Sequence, residues 1–218
     1  MPTPKLRKKL KQAFAGFDEI NTFWVDKMDL PDAEKRIRVE MMRDFRQRIE
    51  EVPKPPETNK GSAEYIMLAA LGYVAYKALY TEFTQRYYRR YLRAVGANGD
   101  ISDFAVIWIN EHADIFANYA HTNPVASART ETNALCSLAQ LDAYSQLGYE
   151  GKQWLTMGDS KVRQTHRDAA GQIRELSEPF TVGNSLMMFP QDSSLGADAS
   201  EIVNCRCTMR PVKIIQRL

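Results

Sequence analysis

Apolar residues recur along the first half of the chain with the spacing of α-helices. Leu6, Leu10, Phe14 and Phe17 fall at intervals of four, four and three, which places them on one helical face. Pro31 interrupts, and Asp32 can cap the next helix. From Ala33 to Val52 the residues Ile37, Met41, Phe45 and Ile49 return at every fourth position among many charges. So narrow a stripe suits a helix laid against a partner surface. Pro53 to Gly61 opens with three prolines in four residues, which excludes helix and predicts an extended, semi-rigid spacer. Ser62 can cap a helix from Ala63 to about Val95, stopped at Gly96. At about 1.5 Å per residue it would span roughly 50 Å. Further helices are expected from Ser102 or Asp103 to Tyr119 and, after Pro124, from about Ala126 to Leu147. The apolar stripe of the second is Ala134, Leu135, Leu138 and Leu141.

Beyond Gly151 the segments shorten and Gly and Pro become frequent. Gln153–Thr156, Leu186–Phe189 and Cys205–Val212 read as strands, and Ser160 to Ala169 as a short helix. The fold class is therefore α+β and predominantly helical. Residues 1–52 form a helical arm, 53–62 a Pro-rich linker, 63–150 a helical body with one long helix, and 151–218 a small α+β domain with a few short strands.

Composition narrows the function classes. Hydrophobic residues make up 44% and charged residues 26% of 218, ordinary for a folded globular chain. A net charge of +2 provides no overall field toward nucleic acid or membrane. The most apolar stretch, Tyr65 to Tyr80, is too short to span a bilayer and contains Gly72 and Lys77. The basic start of the chain leads into no apolar signal core, because Asp18, Glu19 and Asn21 intervene. Three cysteines, an odd number, argue against a disulfide framework and for a reducing cytoplasm.

One constellation could carry chemistry. Arg163 and His166 share a helical face just after Asp159, and much later comes Asn204-Cys205-Arg206-Cys207. On a strand, Cys205 and Cys207 would point to one side, too far apart for a comfortable disulfide. With His166 they could supply three zinc ligands, the fourth coming from Asp159 or water. Without metal, the thiols pack as small apolar groups, and Asp159, Arg163, His166 and Asn204 form a polar cluster pinning helix to strand. Cys136, on an apolar helix, reads as core. Two basic runs lack acids: Lys5, Arg7, Lys8, Lys9 and Lys11; and Arg86, Arg89, Arg90 and Arg93. The second is interleaved with Tyr87, Tyr88 and Tyr91 and could track phosphates and stack on bases. Yet Tyr73, Tyr76, Tyr80, Phe83, Tyr87 and Tyr91 also form one helical stripe, the pattern of a buried seam.

The ordered set of Ala128-Arg129-Thr130-Glu131-Thr132-Asn133, Lys152 to Thr156, Asp159 to His166, Gly171, Phe180, Asn204 to Cys207 and Pro211 resembles the Mu F-like head-morphogenesis family of tailed bacteriophages, from about Ala126 to Pro211. The resemblance implies a non-enzymatic minor head protein, bound near the portal inside the capsid and made in the host cytoplasm. Expected partners are the portal, the major capsid or scaffold protein, and packaged double-stranded DNA, with no membrane. The resemblance also implies that enzymatic relatives owe their activity to an added toxin-like domain, which is not expected among the seven residues after Pro211. The competing expectation is a metal-dependent nuclease or toxin-like enzyme using Asp159, His166, Cys205 and Cys207. Against it stand the three histidines, of which His112 and His121 fall on other helices, and the lack of a second acidic cluster beside Asp159. The helix pair before the linker is expected to dock on portal or scaffold, or else to fold back on the body.

Overall fold

A computed structural model describes residues 24–52, 54, 61–119 and 123–213. Helix α1 (Asp32–Glu51) starts after Pro31, which fixes the entry but offers no side-chain cap. Asp32, expected as the cap, lies instead in the first turn with Glu34, where negative charge suits the helix dipole. Helix α2 (Ala63–Ala94) is capped by Ser62, which accepts from the Tyr65 amide at 3.1 Å. It ends where Gly96 takes a φ of 88° and the Ala97 amide reaches back to Leu92 O at 2.9 Å. Helix α3 (Asp103–Tyr119) is capped by Ser102, and α4 (Pro124–Gln146) by Asn123 with Pro124 in its first turn. Pro124 thus opens a helix, at the one place where its missing N–H costs nothing.

Helix α4 is the axis of the molecule. The expected stripe of four apolar positions is a helix buried almost all round, from Ser127 to Tyr144. Its polar residues, among them Glu131, Asn133, Ser137, Gln140 and Asp142, lie inside. Burying them is tolerable because they find partners. The Tyr88 hydroxyl donates to Asp142 at 2.8 Å, and the Asn133 amide to Cys205 O at 2.9 Å.

The small sheet is antiparallel in the order β2 (Ile173–Glu175), β1 (Gly151–Leu155), β5 (Thr208–Val212), with Trp154 opposite Met209. A two-stranded hairpin, β3 (Phe180–Val182) and β4 (Ser185–Met187), turns at Gly183. That glycine has φ 58°, and a Cβ there would meet Thr165 Cγ2 at 2.9 Å, so a side chain is excluded twice over. Short helices α5 (Gln164–Ala169) and α6 (Ala199–Ile202) flank the sheet. Sequence pattern misses β2, β3 and α6, each three or four residues long. It also places Cys205 to Cys207 on a strand that begins only at Thr208.

The core does not respect the expected domain boundaries. One hydrophobic cluster runs from Ile37 through Tyr80 and Leu138 to Trp154, Phe180 and Met209. Phe45 of α1 stacks on Phe83 (4.3 Å between centroids) and Phe116 (5.1 Å). Over residues 32–52 the expected docking arm is therefore part of the body. Its buried face is also wider than the four-residue stripe, since it includes Arg38, which is wholly buried. Arg38 donates to Asn133 Oδ1 (3.1 Å), Gln140 Oε1 (3.2 Å) and Thr208 Oγ1 (3.4 Å), joining α1 to α4 and β5. Glu34, in the same network, accepts from Tyr91 and from Gln140. Residues 1–23, most of the Pro-rich linker and His121 lie outside the described residues. Among those described, no helix is long and apolar enough to cross a membrane.

Candidate functional site

The turn before α5 is built by Asp159. Its Oδ1 accepts from the Lys161 amide at 3.0 Å, and its carbonyl from the Val162 amide at 3.2 Å. From α5, His166 points inward, nearly inaccessible, edge-on to Trp154 at 5.7 Å. The opposing segment is shaped by Asn204, held at φ 57°, a left-handed conformation that Asn adopts more readily than most residues. The α4 start grips this segment. Thr130 Oγ1 accepts from the Asn204 amide (3.1 Å), Arg129 donates to Asn204 Oδ1 (3.3 Å), and Asn133 and Gln191 both donate to Cys205 O (2.9 Å each). The ARTETN and NCRC runs, 72 residues apart in chain between Asn133 and Cys205, are thus one contact.

The structure brings His166, Cys205 and Cys207 together. His166 Nδ1 lies 3.3 Å from Cys207 Sγ and 3.4 Å from Cys205 Sγ, and the Cys207 amide donates to Cys205 Sγ at 3.4 Å. On the far side of the ring, His166 Nε2 meets Glu201 Oε2 at 2.9 Å, which also accepts from Thr165 Oγ1 at 2.8 Å. Burial pushes the Cys205 thiol up. The hydrogen bonds it receives from Cys207 and His166 outweigh this and hold it well below the ordinary thiol range. Cys207, donating to Cys205 and buried, is pushed up. Burial alone would lower the His166 pKa, but the bond and charge of Cys205, with help from Glu201, raise it. All three cysteines are free, and Cys136 is core, its thiol pushed by burial to about 11.

The other residues of the expected cluster do not converge on His166. Asp159 holds Arg206 through two bonds of 2.7 Å, and it is not among the groups that gather with His166. Arg163 donates to Val203 O at 2.5 Å, and Asn204 faces α4. Each ties the 159–166 turn or α4 to the 203–207 segment, by separate bonds.

Of the expected nucleic-acid contacts, Lys5, Arg7, Lys8, Lys9 and Lys11 lie outside the described residues. Arg86, Arg89, Arg90 and Arg93 are exposed on α2. Arg90 forms a two-pronged pair with Glu40 of α1, and Arg86 and Arg90 sit about 6 Å from the Tyr87 ring centre. Tyr76, Tyr80, Phe83, Tyr87 and Tyr91 are buried, so the aromatic stripe is core and provides no platform for bases.

Sequence reasoning misses Glu201, Arg38 and a second polar chain. In that chain, His112 Nε2 meets Glu131 Oε2 (3.0 Å), Tyr80 donates to the same oxygen (3.0 Å), and His112 Nδ1 meets Ser193 Oγ (3.1 Å). Trp108 Nε1 donates to Asp192 at 3.1 Å, so the loop around 188–194 is strapped to α3. A cavity of about 540 Å³, lined by His112, Ile115, Thr130, Ser193, Ile202 and Asn204 among others, lies beside this strap. Periodicity could not have found these pairs, because each joins elements 19 to 84 residues apart.

The family described as "Phage Mu protein F like protein" matches residues 108–210, the stretch that holds α4, the Asp159 turn and the NCRC segment. An NAD(+)--arginine ADP-ribosyltransferase EFV of Enterococcus faecalis is 32% identical over 105 residues, 46% of this chain and 20% of that protein. YqbB of Bacillus subtilis, an uncharacterized protein, is 35% identical over 91 residues, 39% of this chain and 29% of that protein. The chain thus spans less than a third of the length of either relative. No solved structure matches. Over residues 108–210, a little under half of the chain, the sequence is similar to this Mu F-like phage family.

Proposed function

We propose that the chain is a minor head protein of a tailed bacteriophage, acting in head morphogenesis and seated near the portal inside the capsid, with no reaction of its own. The observation that carries this reading is how the family's residues are used. Arg129, Thr130, Asn133, Asp159, Arg163, His166 and the NCRC run are all bonded to one another's segments, as a latch closing α4, α5 and β5 into one unit. Groups so occupied serve shape. The ADP-ribosyltransferase name belongs to a relative of which only a fifth is matched, and we take the shared stretch to be the head-protein unit. Against the nuclease alternative, Asp159 pairs with Arg206 and stands apart from the group of His166, Cys205 and Cys207.

With α1 folded into the body, the surface that fits a portal subunit shifts to the outer face of α2. Met67, Leu71 and Val74, spaced four and three apart, are 57%, 58% and 64% exposed there. Apolar rows of this kind mark protein contacts. Arg86, Arg89 and Arg93, beside the Arg90 that Glu40 holds, are the surface for packaged DNA in this reading. Their affinity would fall steeply with salt, by a log–log slope of about −0.9 for each phosphate neutralised.

Co-expression with the portal gene of the same genome tests the reading. The portal should co-purify with this chain, and the pair Leu71→Glu and Val74→Glu should abolish that while leaving the melting temperature in place. Co-purification unchanged by both charges would remove the proposed surface. ADP-ribose transfer from NAD to arginine, or DNA cleavage lost on His166→Ala, would remove the non-enzymatic reading.

A further inference from the structure

We propose that His166, Cys205 and Cys207 bind one zinc ion, with Glu201 as the carboxylate that aims the imidazole and not as a ligand. One atom from each of the three side chains converges, all within 4.8 Å of one another and all buried. Tetrahedral zinc, with Zn–S of about 2.3 Å and Zn–N of about 2.0 Å, sets an S···N edge of about 3.5 Å. The two S···N separations here are 3.3 and 3.4 Å, from a single nitrogen to both sulfurs. A hydrogen bond at Nδ1 can satisfy only one of those sulfurs, whereas a metal ion serves all three atoms at once.

The far side of the ring supplies the second observation. A metal-bound histidine almost always gives its other N–H to a carboxylate or carbonyl, which fixes the tautomer and turns the lone pair toward the ion. Glu201 Oε2 stands 2.9 Å from Nε2, anchored by Thr165 Oγ1. With the proton on Nε2, the Nδ1 lone pair faces the two thiols. Two sulfurs and an imidazole favour zinc over magnesium, calcium or manganese, which take oxygen ligands.

Three protein ligands leave a fourth position. Asp159 is held by Arg206 and Glu201 by His166 and Thr165, so the position falls to water. The ion would cross-link α5 to the segment before β5, fastening the latch.

Protein expressed with zinc and passed through a desalting column should carry one zinc per chain by elemental analysis. X-ray absorption at the zinc edge should show two sulfur and one nitrogen scatterers. Cys205→Ser and Cys207→Ser should each lose the metal, whereas Cys136→Ser should keep it. Glu201→Gln should keep zinc but yield it to a competing chelator at 10- to 100-fold lower concentration. If the cysteine variants do not fold, the absorption spectrum of the wild-type protein decides. Zinc below a tenth of an equivalent, a shell without sulfur, or chelator resistance unchanged in Glu201→Gln would overturn the proposal.

Discussion

Asp159 and Arg206, 47 residues apart, face each other through two parallel hydrogen bonds of 2.7 Å. This fork closes the outer edge of the latch while His166 closes the inner one. Arg206, by hydrogen bond and charge, holds the Asp159 carboxyl below the usual carboxylate range. A carboxylate depressed in the folded state contributes stability above its unfolded pKa of about 3.9 and loses it as pH falls through the folded value. Asp159→Asn should therefore cost about 0.5–1 kcal/mol near neutral pH, modest because the pair is partly exposed. The difference from wild type should begin to shrink as pH drops below about 4 and vanish once pH passes the lower folded value. Urea titrations across pH 3 to 7 check this, and a constant gap would count against it.

How much of the molecule is legible in the sequence depends on the range of the signal. The stripes of Ile37, Met41, Phe45 and Ile49, and of Tyr76 to Tyr91, give α1 and α2 their buried faces, because helix period is a local property. Ser62 and Gly96 mark the ends of α2 for the same reason. What fails is the inference from a narrow, charged stripe to a detachable arm. Arg38 reads as a surface charge, yet Asn133, Gln140 and Thr208 receive it inside. Helix α4 reads as one-sided because its polar residues suggest an outward face, when its neighbours surround it. At the candidate site, His166, Cys205 and Cys207 are visible as residue types in order. Glu201 is not, since no local pattern tells a short-helix glutamate that binds solvent from one that binds a buried histidine.

Phe45→Ala tests whether α1 belongs to the body. Its ring stacks against Phe83 and Phe116 in the common core, so its loss should cost about 3–5 kcal/mol in denaturant unfolding. A detachable arm would leave the main transition in place.

Arg38 makes a different prediction. Arg38→Ala would take the buried positive charge away from Glu34 and the donor away from Asn133 Oδ1, while Gln140 Oε1 keeps only the Thr208 hydroxyl, for a loss of roughly 3–5 kcal/mol. Pairing Arg38→Met with Glu34→Gln removes both charges and should recover most of it. A double variant as unstable as Arg38→Ala would show that the charges themselves are needed.

Lys152 makes its own contribution to the alkaline behaviour. Its ammonium donates to Leu176 O at 2.8 Å and lies 5.3 Å from the Phe180 ring centre. Burial pulls its pKa down to about 8, with Asp192 and Glu178 partly offsetting. A lysine depressed in the folded state loses its proton there first, so stability rises with pH from about 8 toward the unfolded value near 10.4. The stability difference between wild type and Lys152→Met should shift by about 1–2 kcal/mol in favour of wild type between pH 7.5 and 9.5. Parallel curves for the two would contradict this.

The central proposal, that this chain is a component of a phage head, is tested most directly by composition. Heads assembled with this chain from phage capsid, scaffold and portal proteins, with and without the portal, should be purified and their proteins quantified by mass spectrometry. The account predicts a few copies of this chain in heads built on a portal and none in heads that lack one. Its absence from portal-containing heads, or equal amounts in both, would contradict it.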